Sequence, residues 1–256
     1  MYAKKEEYLE GKFKIPFNLK NLEKNQKQHV KFAWERCKRY GLKPYDNIIT
    51  FKYTGQELEK VLEDSKNLIE SSKHFMENLY SLVKGTGFVI ILTNEKGCLL
   101  EVIGDTKPLE ELSRKLGTSI GTVWDEKYVG NTAITTSIIE GEPTQLSSGE
   151  HYLACLDGFF CSSAPIRQNG KIIGALNVMG YEDNSHAHTL AMVAAVTKSI
   201  ESYMEINKAN DELIIKNKYQ NAIVECISDG FLTIDNHGRL TFINGVGADI
   251  LGIDRE

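Results

Sequence analysis

The sequence predicts an α+β fold in which a central antiparallel sheet is flanked by helices. Two hairpin signals predict the sheet, because each joins two apolar runs through a short turn that contains glycine. The first pair of runs spans 87–92 and 98–103, and the second spans 164–167 and 171–179. The second turn contains Asn-Gly, the strongest short hairpin signal. Helical apolar spacing on both sides of these hairpins indicates the flanking layers.

The other elements follow from residue spacing and from helix stop signals. Apolar residues three and four positions apart indicate helices before the first hairpin, between the hairpins and after the second hairpin. Gly141 and Pro143 end the helix that precedes the second hairpin. The predicted helices cover 21–40, 54–84, 109–116, 131–140 and 188–225, and one further strand covers 143–146.

Length and composition place the chain among ordinary globular proteins. It has 256 residues, of which 41% are hydrophobic and 25% charged, and its net charge is −5. That charge argues against a general nucleic-acid surface, which needs clustered lysine and arginine. The N-terminus lacks the apolar stretch of a secretion signal, and no run of about 18 apolar residues follows. We therefore expect a cytoplasmic protein of one or two domains.

The cysteines show no Cys-x-x-Cys pair and no regular spacing. This pattern argues against a disulfide framework and against a zinc ribbon. We therefore expect reduced thiols, with no resident metal and no cofactor. The five cysteines are Cys37, Cys98, Cys155, Cys161 and Cys226.

A run of polar and aromatic residues between Gly121 and Gly180 predicts a ligand pocket. These residues are interleaved with strand-like apolar runs, where a plain core would not select them. Burying an unpaired amide or hydroxyl costs about 1–3 kcal/mol, and a bound ligand is one group that offsets this cost. The predicted ligand-binding residues are Trp124, Glu126, Asn131, Thr132, Glu150, His151, Tyr152 and Cys161.

Each of these residues also has a purely structural interpretation. The alternatives are a core tryptophan beside a solvated glutamate and an exposed loop for residues 150–152. Asn131 and Thr132 fit an N-cap for the helix that follows, and capping is the role we favour for them. Cys161 fits a small buried hydrophobe at the start of a strand.

Metal and catalytic chemistry have weaker support. His151, Cys155 and Cys161 are potential zinc or iron ligands, but their spacing is irregular and a fourth ligand is missing. Ser162 and Ser163 do not lie in a Gly-x-Ser-x-Gly elbow, and His151 has no nucleophile signature beside it. We expect no enzyme activity.

Three segments carry a family resemblance. They are Gly-Thr-Val-Trp-Asp-Glu-Lys-Tyr-Val-Gly-Asn-Thr-Ala-Ile-Thr-Thr at 121–136, Glu-His-Tyr at 150–152 and Cys-Ser-Ser-Ala-Pro-Ile at 161–166. Their order and spacing resemble the GAF sensor domain of acetoin-regulator-type activators, which switch on sigma-54-dependent transcription. The resemblance covers most of residues 30–205. The family usually reads Gly-Thr-Asn-Ala-Ile-Gly-Thr, whereas in this chain Asn131 and Thr132 are exchanged and Thr135 replaces a glycine, which implies a different pocket wall and effector.

The resemblance implies four segments. A helical lead-in covers 1–53, a GAF-like sensor domain 54–205, a signalling or linker helix 206–227, and an incomplete PAS domain 228–256. The chain contains no Gly-x-x-x-x-Gly-Lys-Ser/Thr phosphate loop and no helix-turn-helix. The ATPase and DNA-binding domains of the family would thus follow this chain, and contact with sigma-54 polymerase and DNA would belong to them.

The resemblance leaves three inputs open. The first is a small metabolite such as acetoin, a diol, glycerol or a related alcohol. The second is a partner protein such as a sugar-kinase subunit, and the third is a redox or metal signal. The linker helix also predicts a homodimer, because its spacing resembles a coiled-coil seam. The seam positions are Ile206, Ala209, Leu213, Lys216, Gln220, Ile223 and Ile227.

Overall fold

The computed structural model describes residues 19–46, 48 and 50–254, with side chains from Lys27 onward. Much of the predicted lead-in at 1–53 therefore lies outside the described residues. The chain divides after Ser202 into two compact units. Within the described ranges, no helix combines the length and apolar character that a membrane span requires.

The first unit contains a mixed arrangement of helices and strands, and the last helix continues from it into the second unit. The helices are α1 (Leu19–Arg39), α2 (Gly55–Asp64), α3 (Lys66–Val83), α4 (Thr106–Leu116), α5 (Glu126–Val129), α6 (Ala133–Glu140) and α7 (Ala187–Glu225). The strands are β1 (Phe51–Lys52), β2 (Phe88–Asn94), β3 (Leu99–Gly104), β4 (Thr122–Val123), β5 (Thr144–Leu146), β6 (Phe159–Gln168) and β7 (Lys171–Tyr181).

The central sheet has five strands in the order β3-β2-β7-β6-β5, and all of its pairs are antiparallel. Both predicted hairpins form. Asn169 and Gly170 connect β6 to β7 with φ values of 52° and 77°, as a two-residue type I′ turn requires. A five-stranded antiparallel sheet with flanking helices and a long final helix confirms the predicted architecture at this level.

Two predicted helices have different bounds in the structure. The helix predicted at 54–84 is broken at Ser65, whose φ of −100° and ψ of 4° depart from helical values, so α2 and α3 are separate. The helix predicted at 109–116 begins at Thr106 and includes Pro108 in its first turn. Proline is tolerated there because the first N–H groups of a helix have no intrahelical partner.

The two faces of the sheet are covered by different helices. Side chains alternate along a strand, so residues paired across strands share a face. Asn177 pairs with Ile91 and with Ser163, and the Ser163 hydroxyl lies 2.9 Å from that of Ser137 in α6. We call this side of the sheet the α6 face.

The opposite face of the sheet packs against α3. A Cβ atom added at Gly174, an odd number of residues from Asn177, would lie 2.8 Å from the Leu68 side chain. The first half of α7 also carries fully or nearly buried residues, including Val193 and Ile200. The main apolar core belongs to the α6 face, where Trp124 and Ile134 share one cluster with residues of β2, β6 and β7.

The second unit contains the later part of α7 and a hairpin of β8 (Leu232–Ile234) and β9 (Leu240–Ile243), followed by helix α8 (Gly245–Leu251). Asn244 begins α8, since its side chain accepts a hydrogen bond from the Gly247 N–H at 2.9 Å. The hairpin and the helix lie within 228–256, the segment that the resemblance assigns to an incomplete PAS domain. Along α7, the apolar seam positions Ile206, Leu213 and Ile223 are 59%, 56% and 50% exposed.

Candidate functional site

The predicted ligand-binding residues are buried around the α6 face and the loops beside it. Trp124 follows β4 and is 1% exposed. The backbone N–H of Trp124 donates to the Gly97 carbonyl at 2.9 Å. A Cβ atom added at Gly97 would lie 2.2 Å from the Trp124 carbonyl oxygen. Only glycine permits this close approach, which fixes the Trp124 backbone on the turn between β2 and β3.

Glu126 is held by an ion pair that the sequence did not predict. It is 2% exposed, and its two carboxylate oxygens accept from Arg36 of α1 at 2.6 and 3.0 Å. Arg36 also donates to Glu140 at 2.7 Å. Burial raises the pKa of the Glu126 carboxyl against the opposing effect of Arg36. Both glutamates raise the pKa of Arg36, which burial alone would lower. Glu126 is therefore buried and paired, in contrast to the solvated glutamate of the structural alternative.

Asn131 joins two loops through its amide. Its Nδ2 donates to the Glu150 carbonyl at 2.9 Å, and its Oδ1 accepts from the Tyr152 N–H at 2.6 Å. The Trp34 indole N–H also donates to the Glu150 carbonyl, at 2.9 Å. These bonds give both polar atoms of the Asn131 amide a partner within the chain. Asn131 therefore connects the two loops without the help of a ligand.

Thr132 is the N-cap of α6. Its side chain accepts from the Thr135 N–H at 3.2 Å, and the Thr135 hydroxyl accepts from the Thr132 N–H at 2.9 Å. The pair forms a capping box. The capping role favoured from the sequence is thus present at Thr132 and is completed by Thr135, which departs from the family pattern. It is absent at Asn131, whose amide bonds to Glu150 and Tyr152 instead.

The triplet at 150–152 is turned inward and does not form an exposed loop. The Tyr152 hydroxyl donates to the Leu42 carbonyl at 3.0 Å, and the Glu150 carboxylate accepts from the Ser147 N–H at 2.8 Å. His151 is 3% exposed, with its Nδ1 3.2 Å from the Asn131 carbonyl. Burial lowers the pKa of His151 to about 4, so the imidazole is neutral at pH 7.

Cys161 lies in the apolar core of the α6 face. The strand that carries it begins at Phe159, two residues earlier than the sequence indicated. Burial raises the pKa of its thiol to about 12, which disfavours the thiolate that a metal requires. In the described part of the chain, no group of three or more His, Cys, Asp or Glu side chains is arranged to hold a metal ion.

The structure identifies polar residues of the α6 face that the sequence did not single out. Asn177 in β7 is 0% exposed, and neither its Oδ1 nor its Nδ2 has a hydrogen-bond partner among the described residues. Thr93 of β2 pairs with Ala175, two residues from Asn177, so both side chains lie on the same face. The only signal in the sequence was an asparagine inside an apolar strand.

Further buried polar atoms without a described partner lie in elements that pack on this face. They are the Trp124 indole Nε1 and the hydroxyls of Thr93 and Thr136. Ser72 and Ser162 elsewhere in the unit share this property, but each has a single rotatable hydroxyl. Asn177 differs because two polar atoms are left without partners at one buried amide. The candidate site is therefore centred on Asn177, and Trp124 and Cys161 are the predicted residues that belong to the apolar cluster of the same face.

Comparison with known proteins identifies the family. The family described as MimR, N-terminal domain, matches residues 65–206, more than half of the chain. The Signal-transduction and transcriptional-control protein of Clostridium beijerinckii is 32% identical over 228 residues, which cover 89% of this chain and 36% of that protein. The acetoin dehydrogenase operon transcriptional activator AcoR of Bacillus subtilis is 23% identical over 194 residues, covering 75% of this chain and 32% of AcoR.

The chain therefore spans about a third of the length of these relatives. A chain in the crystal structure of the E. coli DhaR(N)–DhaL complex has the same fold, with a TM-score of 0.82 and 21% identity. The likeness covers 88% of this chain and 77% of that chain. The resemblance to acetoin-regulator-type transcriptional activators is confirmed, and the chain corresponds to their sensor region.

Proposed function

Because the chain belongs to the MimR N-terminal domain family, we propose that it is the sensor region through which a sigma-54-dependent activator is controlled. A GAF-like domain at 54–205 receives the signal, the helix at 206–227 transmits it, and 228–256 begin a PAS domain. The region has no catalytic activity of its own and acts in the cytoplasm. Its relatives are named as regulators of transcription, which supports this role.

The proposed input is a small neutral metabolite with hydroxyl or carbonyl oxygens. One observation carries this choice: in the described part of the chain, both polar atoms of the buried Asn177 amide are without partners. A hydroxyl group can accept from Nδ2 and donate to Oδ1, and a carbonyl can accept from the Trp124 indole. Apolar residues of the same cluster, among them Ile91 and Met179, favour an uncharged ligand.

The free-energy cost of the unsatisfied Asn177 amide is large enough for the site to select such a ligand. Leaving a buried polar group unsatisfied costs about 1–3 kcal/mol. A ligand that supplies the missing hydrogen bonds removes this cost, and an analogue without the oxygen does not. Discrimination between alcohol and hydrocarbon at this site should therefore be about fivefold to a hundredfold, since about 1.4 kcal/mol corresponds to a factor of ten. Acetoin, diols and glycerol belong to this chemical class.

A thermal-shift panel of acetoin, vicinal diols and glycerol tests the proposal. A ligand at 100 times its dissociation constant stabilises the folded state by about 2.7 kcal/mol, or roughly 5–10 °C for a domain of this size. Asn177→Leu should keep or raise the melting temperature without ligand, since it removes the unsatisfied amide. The same variant should lose the response to ligand.

The control is Asn78→Leu, at an exposed position of α3, which should keep the response. Two results would oppose the proposal. One is that no compound of the panel shifts the wild-type transition. The other is that Asn177→Leu destabilises the protein and still responds to ligand, because the amide would then be a structural group.

A partner protein is the second candidate input. The E. coli protein DhaR(N) forms a complex with DhaL, and its fold is that of this chain. By this analogy a kinase-subunit-like partner would bind the sensor region from outside, and the interior of the α6 face would have no role in signalling. Both candidates are compatible with a homodimer through the helix at 206–227, whose apolar positions are exposed.

A further inference from the structure

A groove on the first unit runs between α1 and the loop before residue 150. Two half-buried apolar residues of α1, Val30 and Trp34, form its floor, and lysines lie on either side of them. The lining residues are Lys27, Val30, Lys31, Trp34, Glu35, Lys38, Gly149 and Glu150. We call this surface the α1 groove.

The cations of the α1 groove form a single stripe. Lys27, Lys31 and Lys38 lie at helical spacings of four and seven residues and therefore face the same way. All three are exposed. Among the described residues, no salt bridge engages any of them. The stripe extends over about 16 Å, at 1.5 Å per helical residue.

The groove also contains two carboxylates, so its three lysines exceed its acids by one positive charge. The Glu150 carboxylate accepts the Ser147 N–H of its own loop at 2.8 Å. Glu35 lies four residues after Lys31 and three before Lys38 and, among the described residues, forms no salt bridge with either lysine. The apolar floor consists of Val30 and the Trp34 ring, which is held in place by its hydrogen bond to the Glu150 carbonyl. The groove thus combines a net positive charge with an apolar surface that the Trp34 hydrogen bond holds in place.

We infer that the α1 groove is the docking site for an acidic amphipathic segment of a partner protein. Carboxylates spaced four and seven residues apart on a partner helix would match the lysine stripe, and an apolar side chain would cover Val30 and Trp34. A protein segment fits better than a nucleic acid, because three lysines in one short row neutralise few phosphates and the floor of the groove is apolar.

This inference rests on the second candidate function, input from a partner protein, and names where that partner binds. It differs from the metabolite site in place, since the α1 groove is on the surface and Asn177 is in the interior. Arg36 of the same helix holds Glu126 and Glu140, so a partner on α1 would contact an element already tied to α5 and α6.

Two labelled 18-residue helical peptides test the inference by fluorescence anisotropy with the full chain. One carries glutamates at the four- and seven-residue spacing around a leucine, and the other carries lysines at the same positions. We expect the acidic peptide to bind at least tenfold more tightly than the basic peptide. Its affinity should fall as the salt concentration is raised. In a Trp124→Phe background, Trp34 is the sole tryptophan, and its emission should change on binding.

Substitution of the stripe provides the matched comparison. A triple variant that combines Lys27→Gln, Lys31→Gln and Lys38→Gln should bind the acidic peptide at least tenfold more weakly than wild type. The control replaces three exposed lysines on other elements, Lys60, Lys73 and Lys171, by glutamine and should change binding less than twofold.

Four results would overturn the inference. They are equal peptide binding by both triple variants, Trp34 emission that does not respond, duplex DNA binding more tightly than the peptide, or a homodimer that the stripe variant abolishes. If a protein partner of the intact regulator still binds the stripe variant, the docking site is wrong while the partner-controlled function stands. If the peptide does not bind and no protein partner of the intact regulator binds this chain either, the partner-controlled function fails as well.

Discussion

The buried imidazole of His151 should make stability depend on pH in a predictable window. His151 is 3% exposed and contacts the Asn131 carbonyl through Nδ1. Among the described residues its Nε2 has no hydrogen-bond partner. Protonation would place a cation at a buried site, which the nearby Asp157 offsets only in part. Replacing His151 by glutamine keeps a side-chain N–H for the Asn131 carbonyl and removes the titration.

The magnitude follows from the difference in pKa between the folded and unfolded chain. The pKa of His151 is about 4 in the folded protein, against 6.5 as its ordinary value. The unfolded chain therefore binds more protons between these values, and stability falls as the pH decreases through this window. The contribution is fully present above pH 6.5. About 2 kcal/mol of it should be lost between pH 7.5 and pH 5, and about 3 kcal/mol by pH 4.

Urea unfolding at pH 7.5 and pH 5 measures this effect. Tryptophan fluorescence reports on the first unit, because Trp34 and Trp124 both lie in it. Carboxylates add their own pH dependence, so the difference between wild type and His151→Gln isolates the imidazole. The variant should lose about 2 kcal/mol less than wild type between the two pH values.

His188→Gln, at an exposed histidine of the same unit, should lose as much as wild type. An equal loss in wild type and in His151→Gln would refute the reasoning. It would mean that His151 is solvated in the folded protein or that it finds a partner for its proton.

Two further predictions concern the ion pair and the long helix. Arg36→Met should lower the free energy of unfolding by about 3–5 kcal/mol in urea titrations, because the Glu126 carboxylate is left buried without its cation; Arg39→Met, at an exposed position, should change it by less than about 0.5 kcal/mol, and equal effects would contradict the role of the pair. In sedimentation, a concentration-dependent dimer should be weakened by Leu213→Glu and Ile223→Glu, which place charges at the apolar seam; a strict monomer at high concentration would exclude this dimer.

Local sequence patterns were sufficient to predict the elements whose causes are local. The turn at Asn169 and Gly170 was predictable because few residue pairs adopt positive φ at two consecutive positions. Thr132 was a predictable N-cap, because a hydroxyl before an apolar helix satisfies the first free N–H groups. The resemblance to transcriptional activators also depended on residues close together in the chain, and it identified the family correctly.

The pairing of buried polar residues depends on contacts between distant parts of the chain, which local patterns do not reveal. Arg36 and Glu126 are 90 positions apart, and no local pattern connects them. Asn131 is separated from the Tyr152 N–H by 21 positions, so its role in the loop was hidden for the same reason.

Asn177 shows most clearly how the environment of a residue depends on the fold. The sequence of a strand that is buried on both faces is a nearly continuous apolar run. Such a run does not indicate which side chains face which helix. The register with β2 and β6 places Asn177 on the α6 face beside Thr93, and burial there leaves its amide without a partner among the described residues. The sequence supplied the residue, but its environment depends on contacts between strands that are distant in the chain.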